Sequence, residues 1–389
     1  MRKILVISSK APYPLYRGGG AIRTYQMIKS LSKCCDIDLL YITDDKDVIS
    51  INEGVKTFCN NIIPFYKSKK SHYWNVLKGL FVNRLPLQVN YFYFKDIQKW
   101  IDVHISDYDG VFCNNIRTTE YVRKKNGIIK WVDFVDAISM NYEKAQQQVR
   151  GIWSWLYRID HIRCSKYEQD VLAAFDKSMV ISEVDRKYIL DRSSGNRDIQ
   201  VIGNYVDVSG DKICHQEGNY NVVFVGKMNY EPNITAVKYF ACEVFPLIRE
   251  KVKQVKFFIV GANPPEIVQR LGVQEGVIVT GFVDDVTDYM RMAAVSVAPM
   301  RSGAGIQNKI LQAMALGGCV VTTSIGAEGL DVKQGGIVVE ESSLKMAETI
   351  IHLLEHPTER ARIGKQAIQY IYNNLVANIV EKQVREFIA

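Results

Sequence analysis

The sequence lacks several features that mark common classes of protein. No stretch approaches the ~18 consecutive apolar residues of a membrane-spanning helix. The eight cysteines are scattered and include no Cys-x-x-Cys pair, which argues against a zinc site or a disulfide framework and favours a reducing cytoplasm. The N-terminus has only four consecutive apolar residues, Ile4–Ile7, so it is predicted to be a first strand and not a signal peptide.

Negative charge is scarce in the first half of the chain. Residues 1–200 contain 31 lysines and arginines against 22 acids, whereas residues 201–389 contain 18 against 20. The basic half is therefore predicted to meet an anionic partner, such as a membrane surface or a phosphorylated acceptor. Nucleic acid is not an expected partner, because no recognised binding motif accompanies the charge.

Two basic stretches are also rich in aromatic residues. They span residues 65–100 and 150–166 and interleave lysine and arginine with Trp, Tyr and Phe. This composition suits a membrane interface or a docking site for an acceptor. Packing of the aromatics in an irregular part of the core is an equally good interpretation.

The remaining pattern is a repeated alternation of short apolar runs and helical periodicity, over a length that favours two domains or more. Two such series predict two α/β domains with parallel sheets. A turn at residues 203–207 marks the end of the first series.

The second series contains a glycine-rich turn that is expected to bind an anion. Gly303–Gly305 follows a buried apolar run and precedes a predicted helix at Ile306–Leu316. The start of a helix presents free N–H groups and the positive end of the helix dipole. Lys309 is expected on the exposed side of this helix, where it would add a full charge. A plain strand–turn–helix with a surface lysine is the alternative.

Three further turns fall between a predicted strand and a helix, where open α/β sheets bind ligands. They are Gly18–Gly20, Gly226–Asn233 and Gly281–Asp285. A flexible turn, a solvated Lys227 and helix caps are the respective alternatives. Taken together, Lys227, Lys309 and the amides of Gly303–Gly305 could neutralise the two phosphates of a nucleotide sugar without a metal.

The order of these motifs resembles a known family. G-K-M-x-Y-x-P-N, G-F-V-D-D-V, G-A-G-I-x-N-K-I-L-x-A-M-A-x-G and I-G-A-E-G-L follow one another as in family-4 glycosyltransferases of the GT-B fold. The likeness is closest to the subgroup found with bacterial exopolysaccharide and capsule synthesis. It is strongest over about residues 221–360. Weaker traces at 17–24 and 132–139 extend it over the whole chain.

The resemblance implies an architecture of two Rossmann-like domains with parallel sheets that face each other across a cleft. The acceptor domain would span residues 1–205 and the donor domain residues 206–374. The last helix, within residues 375–389, would return to the first domain.

The resemblance also assigns roles to residues. Gly226 and Lys227 would bind the donor diphosphate, and the family's second basic residue falls at Asn233, so Lys309 would supply that charge. Gly19 and Gly20 would close over the phosphates. The nucleobase would be held largely by the backbone of Val283 and Asp284.

Two departures from the family concern residues near the transferred sugar. Ala304 and Gln312 replace the family's paired glutamates. The backbone amides of Gly305 and Ile306 would therefore have to contact the sugar, and Gly303 belongs to the same donor-binding loop. The family's N-terminal histidine is absent. Asp133 and Asp136 stand in that segment, either as catalytic or acceptor-orienting residues or as strand-end caps.

These features predict a glycosyltransferase that moves a sugar from a nucleotide diphosphate-sugar to a hydroxyl of a lipid-linked or polymeric glycan. It would be retaining, would need no metal and no cofactor, and would act in the cytoplasm or at the inner face of the membrane. A non-catalytic GT-B subunit remains an alternative. A dehydrogenase is disfavoured by the absence of G-x-G-x-x-G, and an epimerase by the absence of suitable acid and base side chains.

Overall fold

The computed structural model describes residues 1–14, 19–47, 53–148, 151–193, 195, 197–208, 212–303 and 305–389. The chain forms two compact units, Met1–Asn204 with Val380–Ala389, and Tyr205–Ile379. The second unit thus extends five residues beyond the expected boundary at 374. It does so because Leu375 is buried in its core and accepts a hydrogen bond from the amide of Val206.

A seven-stranded parallel sheet forms the centre of the first unit, in the order β3-β2-β1-β4-β5-β6-β7. Its strands are β1 Arg2–Ser8, β2 Cys35–Thr43, β3 Asn61–Tyr66, β4 Gly110–Asn114, β5 Ile129–Val135, β6 Lys177–Val180 and β7 Gln200–Val201. The inner strands are almost continuous apolar runs, as expected for a parallel sheet that is covered on both faces.

Helices flank this sheet. They are α1 Gly19–Leu31, α2 Glu53–Lys56, α3 Lys69–Val82, α4 Leu87–Phe92, α5 Lys95–His104, α6 Ile138–Gln148, α7 Ile152–Ala174 and α8 Glu183–Leu190, with 3₁₀ turns at Ile105–Asp107 and Ile116–Tyr121. Helices α6 and α7 are separate elements. Gly151, directly before α7, has a left-handed φ of 71°, which a right-handed helix does not continue through.

The second unit has a six-stranded parallel sheet in the order β10-β9-β8-β11-β12-β13. Its strands are β8 Asn221–Val225, β9 Lys256–Val260, β10 Val277–Gly281, β11 Val295–Ala298, β12 Val320–Thr322 and β13 Ile337–Val339. The fold class predicted from the sequence, α/β with two parallel sheets, is confirmed.

Eight helices follow the first strand of the second sheet, β8, in the described part of the chain. They are α9 Glu231–Tyr239, α10 Phe245–Lys251, α11 Glu266–Gln269, α12 Val286–Arg291, α13 Asn308–Ala315, α14 Ser343–Glu355, α15 Pro357–Asn374 and α16 Ala377–Ile388. A short π-helix, Phe240–Val244, joins α9 to α10, and a 3₁₀ turn, Arg270–Val273, follows α11. None of the helices in the described ranges is long and apolar enough to cross a bilayer.

Each sheet has a point at which its strand order reverses. In the first sheet this point lies between β1 and β4, and in the second between β8 and β11. The loops that leave neighbouring strands diverge there and open a crevice at the carboxyl edge of the sheet, which is where open α/β sheets bind ligands.

Candidate functional site

Two of the predicted donor-binding loops meet at the reversal point of the second sheet. The loop that begins with Gly226 and Lys227 follows β8, and the loop that contains Gly303 follows β11. A Cβ atom added to Gly303 would lie 3.8 Å from the Cβ of Pro232, at the start of α9. The sequence therefore placed these residues correctly at one edge of one sheet.

Asn233 ties the first of these loops to helix α9. Its side chain is buried, and its Nδ2 donates to the carbonyl of Lys227 at 2.8 Å. Gly226 packs so closely on Asn233 that an added Cβ would lie 2.6 Å from Nδ2. Gly226 is thus required for packing, and Asn233 holds the backbone of Lys227 in place. The Lys227 side chain itself is exposed.

Lys309 reaches the same place from helix α13. Its Nζ lies 2.5 Å from Oδ1 of Asn233 and 3.7 Å from the sulfur of Met300. The amine also lies over the ring of Phe224, 4.3 Å from its centroid. Burial lowers the pKa of Lys309 to about 7. The expectation that Lys309 is on the exposed side of its helix is wrong, because the side chain turns inward between β8 and the loop after β11.

The helix that carries Lys309 begins later than predicted. It starts at Asn308 and not at Ile306, so the amides of Gly305 and Ile306 belong to the loop. Gly303 and Gly305 have φ values of 119° and 73°, which only glycine adopts without strain. Gln307 is the N-cap, yet its side chain does not cap the helix. Ala304 lies outside the described residues.

Further predicted donor-binding residues follow the strands of the same sheet. Gln312 is partly buried on α13, one turn after Lys309. Val283 and Asp284 follow the edge strand β10. Val283 packs against a small apolar cluster, whereas Asp284 is exposed. The neighbouring Asp285 caps α12 by accepting from the amide of Thr287 at 2.8 Å, which confirms the helix-cap interpretation for that acid.

In the first unit, Gly19 and Gly20 are the first residues of α1, which is the first helix after β1 in the described part of the chain. Both are exposed, and no atom lies within 4 Å of a Cβ added to Gly20. Gly18, also part of the predicted turn, lies outside the described residues.

Asp133 has a different environment from the one expected of a residue that contacts substrate. It is fully buried, and its Oδ2 accepts from Nε of Arg23 at 2.8 Å. Its Oδ1 accepts from the amide of Val135 at 2.9 Å. Both oxygens are thus occupied, and these contacts fit the strand-end cap, the alternative that the sequence left open.

Asp136 is the more accessible of the two acids. It is partly buried, and Nδ2 of Asn141 donates to its Oδ2 at 2.7 Å. Burial, aided by the negative charge of Asp185, raises the pKa of Asp136 to about 6, although the guanidinium of Arg117 opposes this shift. Asp136 can therefore accept a hydrogen bond from a hydroxyl at neutral pH.

Sequence reasoning missed three features around these acids. Asn115 and Val135, at the ends of β4 and β5, have φ values of 73° and 68°. A β-branched residue at positive φ is strained, and such strain concentrates at functional sites. The sequence analysis also missed Arg23 as the partner of Asp133, although Arg23 lies in the glycine-rich segment 17–24 that it singled out. The conformation of Val135 has no sequence signal.

Within the described ranges, no group of three or more His, Cys, Asp or Glu side chains is arranged to hold a metal ion. Lys227 and Lys309 are two of the cationic residues near the second sheet's reversal point. A pair of amines beside loop amides can bind a diphosphate by charge and hydrogen bonding alone.

Comparison with known proteins agrees with this geometry. The sequence model of the family described as "Glycosyl transferases group 1" matches residues 219–356, which lie in the second unit. The chain is also 24% identical, over 397 residues and 96% of each protein, to "Uncharacterized 44.6 kDa protein in cps region" of Klebsiella pneumoniae.

Similar folds occur among solved structures. Sucrose-phosphate synthase of Thermosynechococcus elongatus has a TM-score of 0.72 at 15% identity, covering 99% of this chain and 98% of that one. HepE of Anabaena, in complex with UDP and glucose, has a TM-score of 0.70 at 14% identity, covering 100% and 99%. Residues 219–356 are therefore a group 1 glycosyltransferase domain, and the chain is a glycosyltransferase with the GT-B fold.

Proposed function

We propose that the protein transfers a sugar from a nucleotide diphosphate-sugar to a hydroxyl of a lipid-linked or polymeric glycan during bacterial surface polysaccharide synthesis. The cps region named for the Klebsiella relative supports this context. The basic first half supports an acceptor that carries phosphate or lies at a membrane. The eight unpaired cysteines suit the cytoplasm as the compartment.

The observation that carries the proposal is the meeting of Lys309 with Asn233 beside the backbone of Lys227. As the bond between the sugar and the diphosphate breaks, negative charge grows on the leaving phosphate. The two lysines and the amides of the Gly303–Gly305 loop stabilise that charge, and fixed donors of this kind supply much of an enzyme's rate enhancement. Neither a metal nor a cofactor is required by this arrangement.

The acceptor binds on the first unit in this proposal. Asp136 orients the attacking hydroxyl by accepting its hydrogen bond, and Arg117 lies close enough to influence the charge on Asp136. Arg23 and Asp133 shape the sheet edge without contacting the sugar. Gly19 and Gly20 are exposed at the start of α1. We extend the family's retention of anomeric configuration to this chain.

The test is an assay of nucleotide diphosphate release with a panel of nucleotide sugars, in excess EDTA and without it. We expect one nucleotide sugar to be hydrolysed slowly, at equal rates in both conditions. A rate that collapses in EDTA and is restored by manganese would contradict metal independence. No release from any donor, together with no binding of nucleoside diphosphates by calorimetry, would contradict the function itself. Proton NMR of the first glycoside formed reports the anomeric configuration.

A further inference from the structure

Helix α3 of the first unit has an apolar face that points to solvent. Tyr73, Trp74, Leu77 and Phe81 are 66%, 65%, 52% and 80% exposed. At 3.6 residues per turn, these four side chains fall within an arc of about 100°. A single exposed apolar residue is ordinary, but a cluster on one helical face marks an interaction site. We call this cluster the aromatic face.

The opposite side of α3 is fixed to the rest of the unit. The ring of His72 stacks on Tyr91 with a centroid distance of 4.3 Å, and its Nδ1 lies 2.7 Å from the Tyr91 carbonyl. Gly79 lies so close to Asn90 that an added Cβ would be 2.2 Å from its Cγ. These contacts hold α3 in one rotation about its axis, so the aromatic face cannot turn inward.

The surroundings of the aromatic face are basic. Residues 66–95 contain six lysines and arginines and no Asp or Glu. Lys69, Lys70 and Lys78 are exposed on the helix itself, and Lys69 and Lys78 lie on either side of the aromatic face. Lys69 forms an ion pair with Asp44, whose Oδ2 is 3.9 Å from its amine.

Helix α7 lies beside the C-terminal end of α3. Its Arg163 donates to the carbonyl of Leu80 at 3.2 Å, so α7 passes the C-terminal end of α3. Trp155 and Ile162 of α7 are 56% and 62% exposed. Two helices of the first unit thus present large apolar side chains together with exposed basic residues.

We propose that the aromatic face of α3, extended by Trp155 and Ile162, binds the surface of an anionic phospholipid bilayer. Trp and Tyr are favoured at the boundary between headgroups and acyl chains, and a helix with such a face lies in the plane of the membrane. Lysines beside it keep their stems on the apolar surface while their amines reach lipid phosphates.

The flanking charge favours a bilayer over a protein partner. Lysine is depleted in the cores of protein interfaces, whereas Lys70 lies within the arc of the aromatic face. A second copy of the chain would bring the lysines of both copies together, and like charges at an interface are unfavourable. This proposal does not depend on the glycosyltransferase function, since it concerns a different surface.

Binding to vesicles tests the proposal, without any nucleotide sugar present. The chain should co-sediment with vesicles of equimolar phosphatidylcholine and phosphatidylglycerol, and much less with phosphatidylcholine alone. At about 1 kcal/mol per lysine, the triple variant Lys69→Gln, Lys70→Gln, Lys78→Gln should lose about a hundredfold in partition. The matched control Lys253→Gln, Lys345→Gln, Lys365→Gln removes three exposed lysines of the second unit and should leave the partition unchanged.

Insertion of the aromatic face has its own measurement. Brominated lipids should quench tryptophan fluorescence less in Trp74→Phe than in the wild-type protein, whereas Trp100→Phe, at a partly buried position, should change the quenching little. The double variant Trp74→Ser, Phe81→Ser should lose at least about tenfold in partition and keep its circular dichroism spectrum.

Four results would overturn the proposal. They are equal binding to neutral and anionic vesicles, binding to neither, an equal loss in the control triple variant, and a dimer in solution that dissociates in Trp74→Ser. The last result would assign the surface to self-association.

Discussion

The amine of Lys309 lies 2.5 Å from the Oδ1 of Asn233, at the position where family-4 glycosyltransferases are expected to hold a second basic side chain. In the proposed function, the second cation for the diphosphate therefore comes from helix α13 and not from α9. Asn233 connects it to the backbone of Lys227 through a second hydrogen bond of 2.8 Å. The two lysines are thus linked through one amide side chain.

The first prediction concerns removal of the Lys309 charge. Lys309→Met keeps most of the side-chain volume and removes a charge-assisted bond to the donor, worth roughly 1.5–3 kcal/mol. Affinity for the nucleoside diphosphate should fall by about ten- to a few-hundredfold, and Lys309→Ala should behave alike. Calorimetric titration measures this loss.

The free energy of unfolding distinguishes a role of Lys309 in donor binding from a role in stabilising the fold. Because burial disfavours the charged amine, Lys309→Met should leave the free energy of unfolding unchanged or raise it. Equal affinities in the variant and the wild-type protein would falsify the role of Lys309 in donor binding.

The second prediction concerns the pH dependence of donor binding. The pKa of Lys309 is lowered to about 7 by burial, so above pH 7 the free protein holds mostly the neutral amine. A bound diphosphate favours the ammonium and raises this pKa, so binding takes up a proton. Affinity should therefore fall as pH rises above about 7, by up to tenfold per pH unit.

Calorimetry in two buffers of different ionisation enthalpy counts the proton taken up at pH 8. Lys309→Arg provides the control, because a guanidinium stays charged over this range and should abolish the uptake. An uptake that persists in Lys309→Arg would assign the proton to another group.

The sequence predicted the fold well, because its signals are local. The short apolar runs that predicted parallel strands include the segments that form Lys256–Val260 and Ile337–Val339. Its errors arose where tertiary contacts decide. Lys309 has the spacing of an exposed residue on a short helix, and only the packing of Phe224 and Asn233 turns it inward.

The acids of the first unit show the same limit. Asp133 and Asp136 are three residues apart and indistinguishable in sequence, yet one is buried against Arg23 and the other partly accessible. The two acids have different environments because the strained Val135 lies between them, where the pairing of β5 with β6 shifts register. Neither that shift nor a partner 110 positions away can be deduced from composition or periodicity.

The third prediction is that Arg23 and Asp133 are coupled in stability. Both side chains are essentially inaccessible to solvent. Arg23→Met leaves the carboxylate of Asp133 buried without its partner, which costs about 3–5 kcal/mol of unfolding free energy. The double variant Arg23→Met, Asp133→Leu removes both charges and should recover much of that loss.

Urea unfolding of the wild-type protein, Arg23→Met, Asp133→Leu and the double variant gives the coupling energy. The exposed pair Arg270–Glu266 is the matched control, and Arg270→Met should cost less than about 1 kcal/mol. Additive losses at Arg23 and Asp133 would show that the two residues stabilise the unit separately.

The last prediction concerns Asp136 as the group that orients the acceptor hydroxyl. Its pKa is raised to about 6, so activity should fall as pH falls through about 6, where the carboxylate takes up a proton and loses its capacity to accept. Asp136→Asn should lower kcat by about a hundredfold or more without changing donor affinity. It should also remove the acidic limb of the kcat/KM profile.

Asp160→Asn is the matched control, because burial raises the pKa of Asp160 to about 6 as well, yet its carboxylate accepts from the amide of Leu87. A profile that loses its acidic limb in Asp160→Asn and keeps it in Asp136→Asn would show that Asp136 has no part in the reaction.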